Sequence, residues 1–214
     1  MRRLVPKPES TLGSIVELVV IIAIALGLAL LIQAFIVKPY RIPSGSMEPT
    51  LAVGQRVLVI RIGTLFSDPH VGEITVFHPP QDAQETTDGP AKCGPVPHVV
   101  VDGTAACAAP VPQEASVNFI KRIVAGPGDE IYISEGHVIR NGVREKDSYI
   151  KPCDAGDARC NFPRPIRIPP GHWFMMGDNR GESDDSRFWG PVPTGWIIGG
   201  AFATYWPPDR IGFL

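Results

Sequence analysis

Leu18 to Val37 is a run of 20 residues in which Gln33 is the only polar side chain. As a helix it would span roughly 30 Å, about one hydrocarbon core of a bilayer. A cleavable export signal has a shorter apolar stretch followed by a small-residue cleavage site. Here the run ends in Phe35-Ile36-Val37-Lys38-Pro39-Tyr40-Arg41, which has no A-x-A-like site. The run therefore predicts a retained membrane anchor, residues 12–37, with 1–11 as a short tail and 38–214 as a domain at the bilayer surface.

Basic residues do not settle which side that domain occupies. Arg2, Arg3 and Lys7 precede the span, and Lys38, Arg41 and Arg56 follow it, so the positive-inside balance is nearly even. The four cysteines, Cys93, Cys107, Cys153 and Cys160, all follow the span, at spacings foreign to CxxC metal or redox motifs. Two short-loop disulfides in an oxidising compartment are the simplest reading, with 93–107 and 153–160 one of three connectivities. This places the tail in the cytoplasm and the domain outside it.

The domain reads as mostly β. Hydrophobic residues make up 44% and charged residues 20%, enough for a packed core, and the net charge of -2 gives no support for nucleic-acid binding. β-branched runs occur at 55–60, 73–77 and 119–124, with a last strand candidate at 196–205. Residues 130–143 suggest a pair of hairpins, with Asn141-Gly142 the strongest turn signal. Sustained helical periodicity is missing after the anchor. Two Pro- and Gly-rich stretches, 79–117 and 145–170, are expected as surface excursions pinned by the cysteines, and Asp102-Gly103 offers a hairpin turn in the first.

Beside the anchor stands Pro43-Ser44-Gly45-Ser46-Met47-Glu48-Pro49-Thr50-Leu51, poor material for a helix or central strand and suited to a rigid turn presenting a hydroxyl. A nucleophilic serine needs a base and donors for the developing oxyanion. None of the five histidines, His70, His78, His98, His137 and His172, sits in a catalytic pattern, and G-x-S-x-G, HExxH and Walker sequences are missing. A lysine can serve if burial lowers its pKa by roughly 3 units. Lys121, in Phe119-Ile120-Lys121-Arg122-Ile123-Val124, is the candidate, although a lysine in such a strand commonly points to water. A third cluster, Gly177 to Gly190, is dense in short hydrogen-bonding and oppositely charged side chains. Its two arginines and its spacing oppose a calcium loop, and no metal or cofactor is expected.

Taken in order, the anchor, Ile42 to Leu51, Val71 to Phe77, Phe119 to Val124 with Pro127-Gly128-Asp129, and Gly177-Asp178-Asn179-Arg180 through Trp189-Gly190 resemble the bacterial type I signal peptidase family. The resemblance runs from about residue 15 to the C-terminus, apart from the two excursions. It implies an antiparallel, coiled β-sheet, barrel-like catalytic domain and a serine–lysine dyad. Ser46 would be the nucleophile, Lys121 the general base, and Ser44 an oxyanion donor beside the Ser46 backbone N–H. Ser183 would orient the Lys121 amine, and Asp178, Arg122, Asp185 and Arg187 would brace the site. Cys153 and Cys160 match a short disulfide found in some members. Gly181-Glu182 departs from the family's usual Asp-Asn, which weakens any side-chain role there.

The implied substrates are preproteins whose membrane-embedded signals end in small residues, and the implied surroundings are the bacterial inner membrane and the protein-export machinery. Tyr40, Ile42, Met47, Leu51, Phe119 and Ile120 are candidates for shallow apolar pockets, and a six-residue tether, 38–43, would hold Ser46 near the membrane. Two other readings remain: a dedicated peptidase of the same fold that matures one substrate such as a conjugation pilin, and a non-enzymatic anchored β module. The last predicts that Lys121 is solvated and out of reach of Ser46.

Overall fold

A computed structural model describes residues 11–61, 67–81, 83, 93–94 and 103–214. Helix α1, Thr11–Phe35, has 25 residues, or about 37 Å at 1.5 Å each. Its stretch Gly13–Leu30 is long and apolar enough to cross a bilayer, and none of it is buried against the rest of the protein. Exposing this surface to water is costly, and a bilayer core is the surrounding that would cover it.

After Ile36 the chain enters the sheet at once. The strands are β1 Val37–Arg41, β2 Arg56–Ile60, β3 Ile74–Phe77, β4 Phe119–Ala125, β5 Glu130–Ser134, β6 His137–Arg140, β7 Val143–Arg144, β8 Phe162–Arg167, β9 His172–Met176, β10 Val192–Pro193, β11 Ile197–Trp206 and β12 Gly212–Phe213. One short helix, α2 at Ser186–Trp189, follows β9. Eight strands form a sheet in the order β1-β2-β11-β3-β4-β9-β10, with β12 also on β11; the other four form a second sheet, β7-β6-β5-β8. The pairings are antiparallel, and register shifts along β11 between Ile197 and Gly199, Ala201 and Ala203, and Thr204 and Trp206 bend the first sheet. The architecture is the mostly-β, curled antiparallel domain expected.

Three buried clusters hold these layers together. Val124, Ala125, Ile131, Ile133, Phe162, Phe174 and Met176 join the two sheets. Phe77, Ile123, Trp173, Met175 and Trp189 fill a second cluster, and Ile42, Met47, Leu51, Val57, Val59 and Val76 the third. Strand β4 pairs along its two edges with β3 and β9, and its faces are covered by packing: Ile123 belongs to the second cluster, Val124 and Ala125 to the first, and Ile120 to the third.

Local expectations are partly met and partly revised. Of the expected 38–43 tether, residues 38–41 lie in strand β1, where Val37 to Arg41 pair with Ile60 to Arg56. Asn141-Gly142 turns β6 into β7, and the turn before it is Glu135-Gly136, both residues with positive φ (52° and 81°). The 145–170 stretch is only partly an excursion. Its Phe162-Pro163-Arg164-Pro165-Ile166 segment is strand β8, at a sheet edge where prolines leave no ladder bond unmade, with Phe162 and Ile166 turned into the core. The described part of 79–117 also packs inward: Ala105, Ala106, Cys107 and Val111 are buried, and Pro80 bridges to Glu114. Asp102 lies outside the described residues. Cys93–Cys107 and Cys153–Cys160 are both disulfides, with Cα separations of 5.3 and 6.4 Å.

Candidate active site

Ser46 sits in a single 3-10 turn, Gly45–Met47, in the segment between β1 and β2. Met47 and Leu51 are fully buried on either side of the turn's exit and anchor it to the third core cluster. Ser44 precedes the turn in extended conformation, and its hydroxyl stands 3.4 Å from Ser46 Oγ.

Lys121 lies in the middle of β4, opposite Thr75 of β3. With both faces of β4 packed, the side chain is almost wholly buried and ends at the Ser46 turn. Its Nζ is 2.6 Å from Ser46 Oγ, and the residue is 4% exposed. When the amine is charged it donates to Ser46; when neutral it accepts the serine proton. Burial pushes the Lys121 pKa down to about 8, while the carboxylates of Asp185, Asp184 and Asp178 pull upward and the Arg187 charge assists burial.

The loop between β9 and α2 braces this pair. Asp178 accepts two bonds from Arg122, 2.9 Å from Nε and 2.7 Å from Nη2, and a third of 2.5 Å from Thr50 Oγ1. Arg122 also lies 4.0 Å from the centre of the Tyr149 ring. Asp185 accepts from Gly177 N–H and from Arg187 Nε and Nη2. Burial alone would push the Asp185 carboxyl up; the Arg187 guanidinium outweighs it and holds the group below the ordinary carboxylate range. Arg187 then reaches the Arg180 and Ser183 carbonyls and Cys160 Sγ, tying the loop to the second disulfide.

Ser183 is placed differently from expectation. Its Oγ is buried without a hydrogen-bond partner and forms no bond to Lys121. It lies against Gly177, where a Cβ would collide with both Ser183 Oγ and the Ser46 carbonyl, so only glycine lets the loop press onto the nucleophile turn.

An open cleft of about 700 Å³ leads to the pair. Ser44, Ser46 and Lys121 lie at its floor, and Tyr40, Ile42, Phe119 and Ile120 line its walls. Met47 and Leu51 do not border it: they follow Ser46 into the core, and both are 0% exposed. His70, His78, His137 and His172 bond to Glu73, Val117, Asp147 and Pro170 respectively, away from Ser46, and His98 lies outside the described residues. Among the described residues there is no group of three or more His, Cys, Asp or Glu side chains arranged to hold a metal.

Thr50, Asn179 and Glu182 also enter the site, and sequence reasoning assigned none of them a role. Asn179 donates from its backbone to the Ser46 carbonyl and from Nδ2 to the Gly45 carbonyl and to Glu182. The signal for Asn179 and Glu182 is the density of short polar residues in the 177–190 segment, and for Thr50 its place in Pro43 to Leu51; neither identifies partners.

The family described as "Signal peptidase, peptidase S26" matches residues 15–206. A probable signal peptidase I-1 of Synechocystis sp. is 36% identical over 198 residues, covering 92% of this chain and 86% of that protein. A signal peptidase I of Pseudomonas aeruginosa is 31% identical over 235 residues, covering 87% of this chain and 72% of that protein. Among solved structures, a signal peptidase I of Enterococcus faecalis V583 superposes with a TM-score of 0.35 at 19% identity, over 63% of this chain and 97% of that one.

Proposed function

We infer, because this chain belongs to the signal peptidase family, peptidase S26, that it is a membrane-anchored serine endopeptidase that removes N-terminal signal peptides from exported preproteins. The observation that carries the mechanism is the 2.6 Å approach of Lys121 Nζ to Ser46 Oγ within a buried setting. A non-enzymatic β module would have no need of a lysine kept out of water against a serine hydroxyl.

In this reading neutral Lys121 takes the Ser46 proton as Oγ attacks the scissile carbonyl. With the pKa near 8, about one amine in ten is neutral at pH 7, some 300-fold more than for an exposed lysine. The oxyanion is received by the Ser46 backbone N–H and the Ser44 hydroxyl. Charged Lys121 then protonates the leaving amine, and water repeats the sequence on the acyl-enzyme. Asp178, Arg122, Asp185 and Arg187 hold the loop that keeps Lys121 and Ser46 together, and Ser183 packs against Gly177 in that loop.

The cleft walls favour small side chains beside the scissile bond. Tyr40, Ile42, Phe119 and Ile120 reach it from two strands, β1 with its exit and β4, and would collide with larger residues. Because β1 follows α1 after one residue, the turn that carries Ser46 is tied to the anchor through a paired strand, near the bilayer surface where a signal segment ends. A co-embedded substrate then meets the site at high effective concentration. We assign the residues before α1 to the cytoplasm, α1 (Thr11–Phe35) to the anchor, ending short of the expected residue 37, and the domain from Val37 to Leu214 to the extracytoplasmic face of a bacterial inner membrane, beside the export machinery; two disulfides in the latter domain support that side.

The test is preprotein cleavage by the full chain in detergent. Ser46→Ala and Lys121→Met each reduce cleavage to background while retaining the wild-type fold. Full activity in either variant would overturn the dyad.

A further inference from the structure

We propose that Asn179 is a positioning residue for the oxyanion site: it fixes and polarises the Gly45–Ser46 peptide. The inference rests on the reading of Ser46 as nucleophile and of its backbone N–H as oxyanion donor. Asn179 is 1% exposed in the loop between β9 and α2. Its backbone N–H donates to the Ser46 carbonyl at 3.1 Å, and its Nδ2 donates to the Gly45 carbonyl at 3.1 Å. One residue thus holds the carbonyls on both sides of the nucleophile.

The orientation of the amide is determined by its surroundings. Nδ2 also donates to Glu182 Oε2 at 3.0 Å. A flipped amide would set an oxygen against a carbonyl and a carboxylate at once. Glu182 is itself 3.6 Å from Lys151 Nζ, which neutralises part of its charge. Gly45 C=O accepts a second bond, from Glu48 N–H at 3.0 Å, so both of its lone pairs are engaged.

The consequence follows from peptide geometry. Gly45 C=O and Ser46 N–H belong to one planar trans unit and point in opposite directions. Holding the carbonyl toward Asn179 aims the N–H to the far side. Ser46 borders the cleft and Asn179 does not, so the far side is where a scissile carbonyl sits. Bonds accepted by a carbonyl also draw electron density through the amide and strengthen its N–H as a donor. Asn179 has no bond to Lys121 among its contacts, so its effect falls on oxyanion charge and leaves the base alone.

Asn179→Leu in the full chain removes this donor at similar size without adding a charge near Lys121. Loss of a direct oxyanion donor costs about 10²–10³ in kcat; acting one bond away, Asn179→Leu lowers kcat by about 10- to 100-fold with KM within about twofold. The pH midpoint of cleavage does not move. A peptide aldehyde gives the discriminating readout. Ser46 Oγ bonds to the aldehyde carbon, its proton passes to Lys121, and the carbonyl oxygen becomes the oxyanion. The aldehyde's Ki rises by the factor that kcat loses, while the matching peptide alcohol binds as before. Unchanged kcat, a loss of kcat without weaker aldehyde binding, or a shifted pH midpoint would each overturn the proposal. If Asn179→Leu does not fold, the exposed Glu182→Gln shows the same paired change at a few-fold; wild-type aldehyde affinity there would overturn it too. Ser46→Ala keeps the two levels apart. Cleavage by that variant refutes the nucleophile itself, whereas an inactive Ser46→Ala beside a wild-type-like Asn179→Leu refutes only the role of Asn179.

Discussion

Thr50 Oγ1 donates to Asp178 Oδ2 at 2.5 Å, joining two residues 128 positions apart. Asp178 also grips Arg122, the residue next to Lys121. A single carboxylate therefore spans from the segment just past the Ser46 turn to the strand that carries Lys121. This crosslink is one reason Ser46 and Lys121 stay within 2.6 Å although they belong to different elements.

Removing that carboxylate should cost both stability and activity. Asp178→Ala leaves the Arg122 guanidinium without its ionic partner and Thr50 without its acceptor. Breaking one side of a buried pair costs about 3–5 kcal/mol. Thermal unfolding in detergent checks the stability loss, and cleavage by the fraction still folded falls with it, because Lys121 is no longer held to Ser46. Asp178→Asn keeps the shape and one acceptor and is the milder change.

Lys121 should carry a stability cost that depends on pH in a defined direction. Its folded pKa of about 8 lies below the ordinary 10.5, so between those values the unfolded chain binds a proton that the folded chain does not. Stability therefore rises with pH across that window, and the whole penalty is present below about pH 8. A gap of 2.5 units corresponds to about 3 kcal/mol. Lys121→Met, which removes the charge at similar volume, should unfold at a higher temperature than wild type near pH 7. The difference should shrink as pH rises from 8 toward 10.5. A difference independent of pH would mean that Lys121 is not buried as a depressed base.

The fold and much of the site could be read from residue order, for physical reasons that differ between elements. The anchor and the Asn141-Gly142 turn are local features: length and apolarity fix the first, and two positive-φ positions the second. Lys121 is not local. Its burial depends on what packs onto the faces of β4, the Ser46 turn included, and nothing in Phe119 to Val124 states that. Met47 and Leu51 were expected on the cleft because they neighbour Ser46; the 3-10 turn instead sends them into the core. Strand β8 was hidden by Pro163 and Pro165, which only an edge position accommodates. Thr50, Asn179 and Glu182 act through partners far away in sequence or through backbone atoms, and composition carries no trace of either.

The cleft walls make a specificity prediction. Ile42 borders the cleft beside Ser44 and is 1% exposed. Ile42→Ala opens space next to the nucleophile. The ratio of kcat/KM for a preprotein with Val at the residue before the scissile bond to one with Ala there should rise by about tenfold, the scale of one or two methylenes. This ratio is unaffected by any loss of folded enzyme. An unchanged ratio would remove Ile42 from the pocket.

The central claim is that Lys121 is the base, and its titration tests this most directly. The full chain in detergent micelles, with lysine labelled at Cε and Lys121 assigned through Lys121→Met, gives the pKa by NMR. The account predicts about 8, with the cleavage rate rising through the same midpoint as the amine loses its proton. A Lys121 pKa near 10.5, or a rate that ignores its titration, would leave Ser46 without a base and contradict the account.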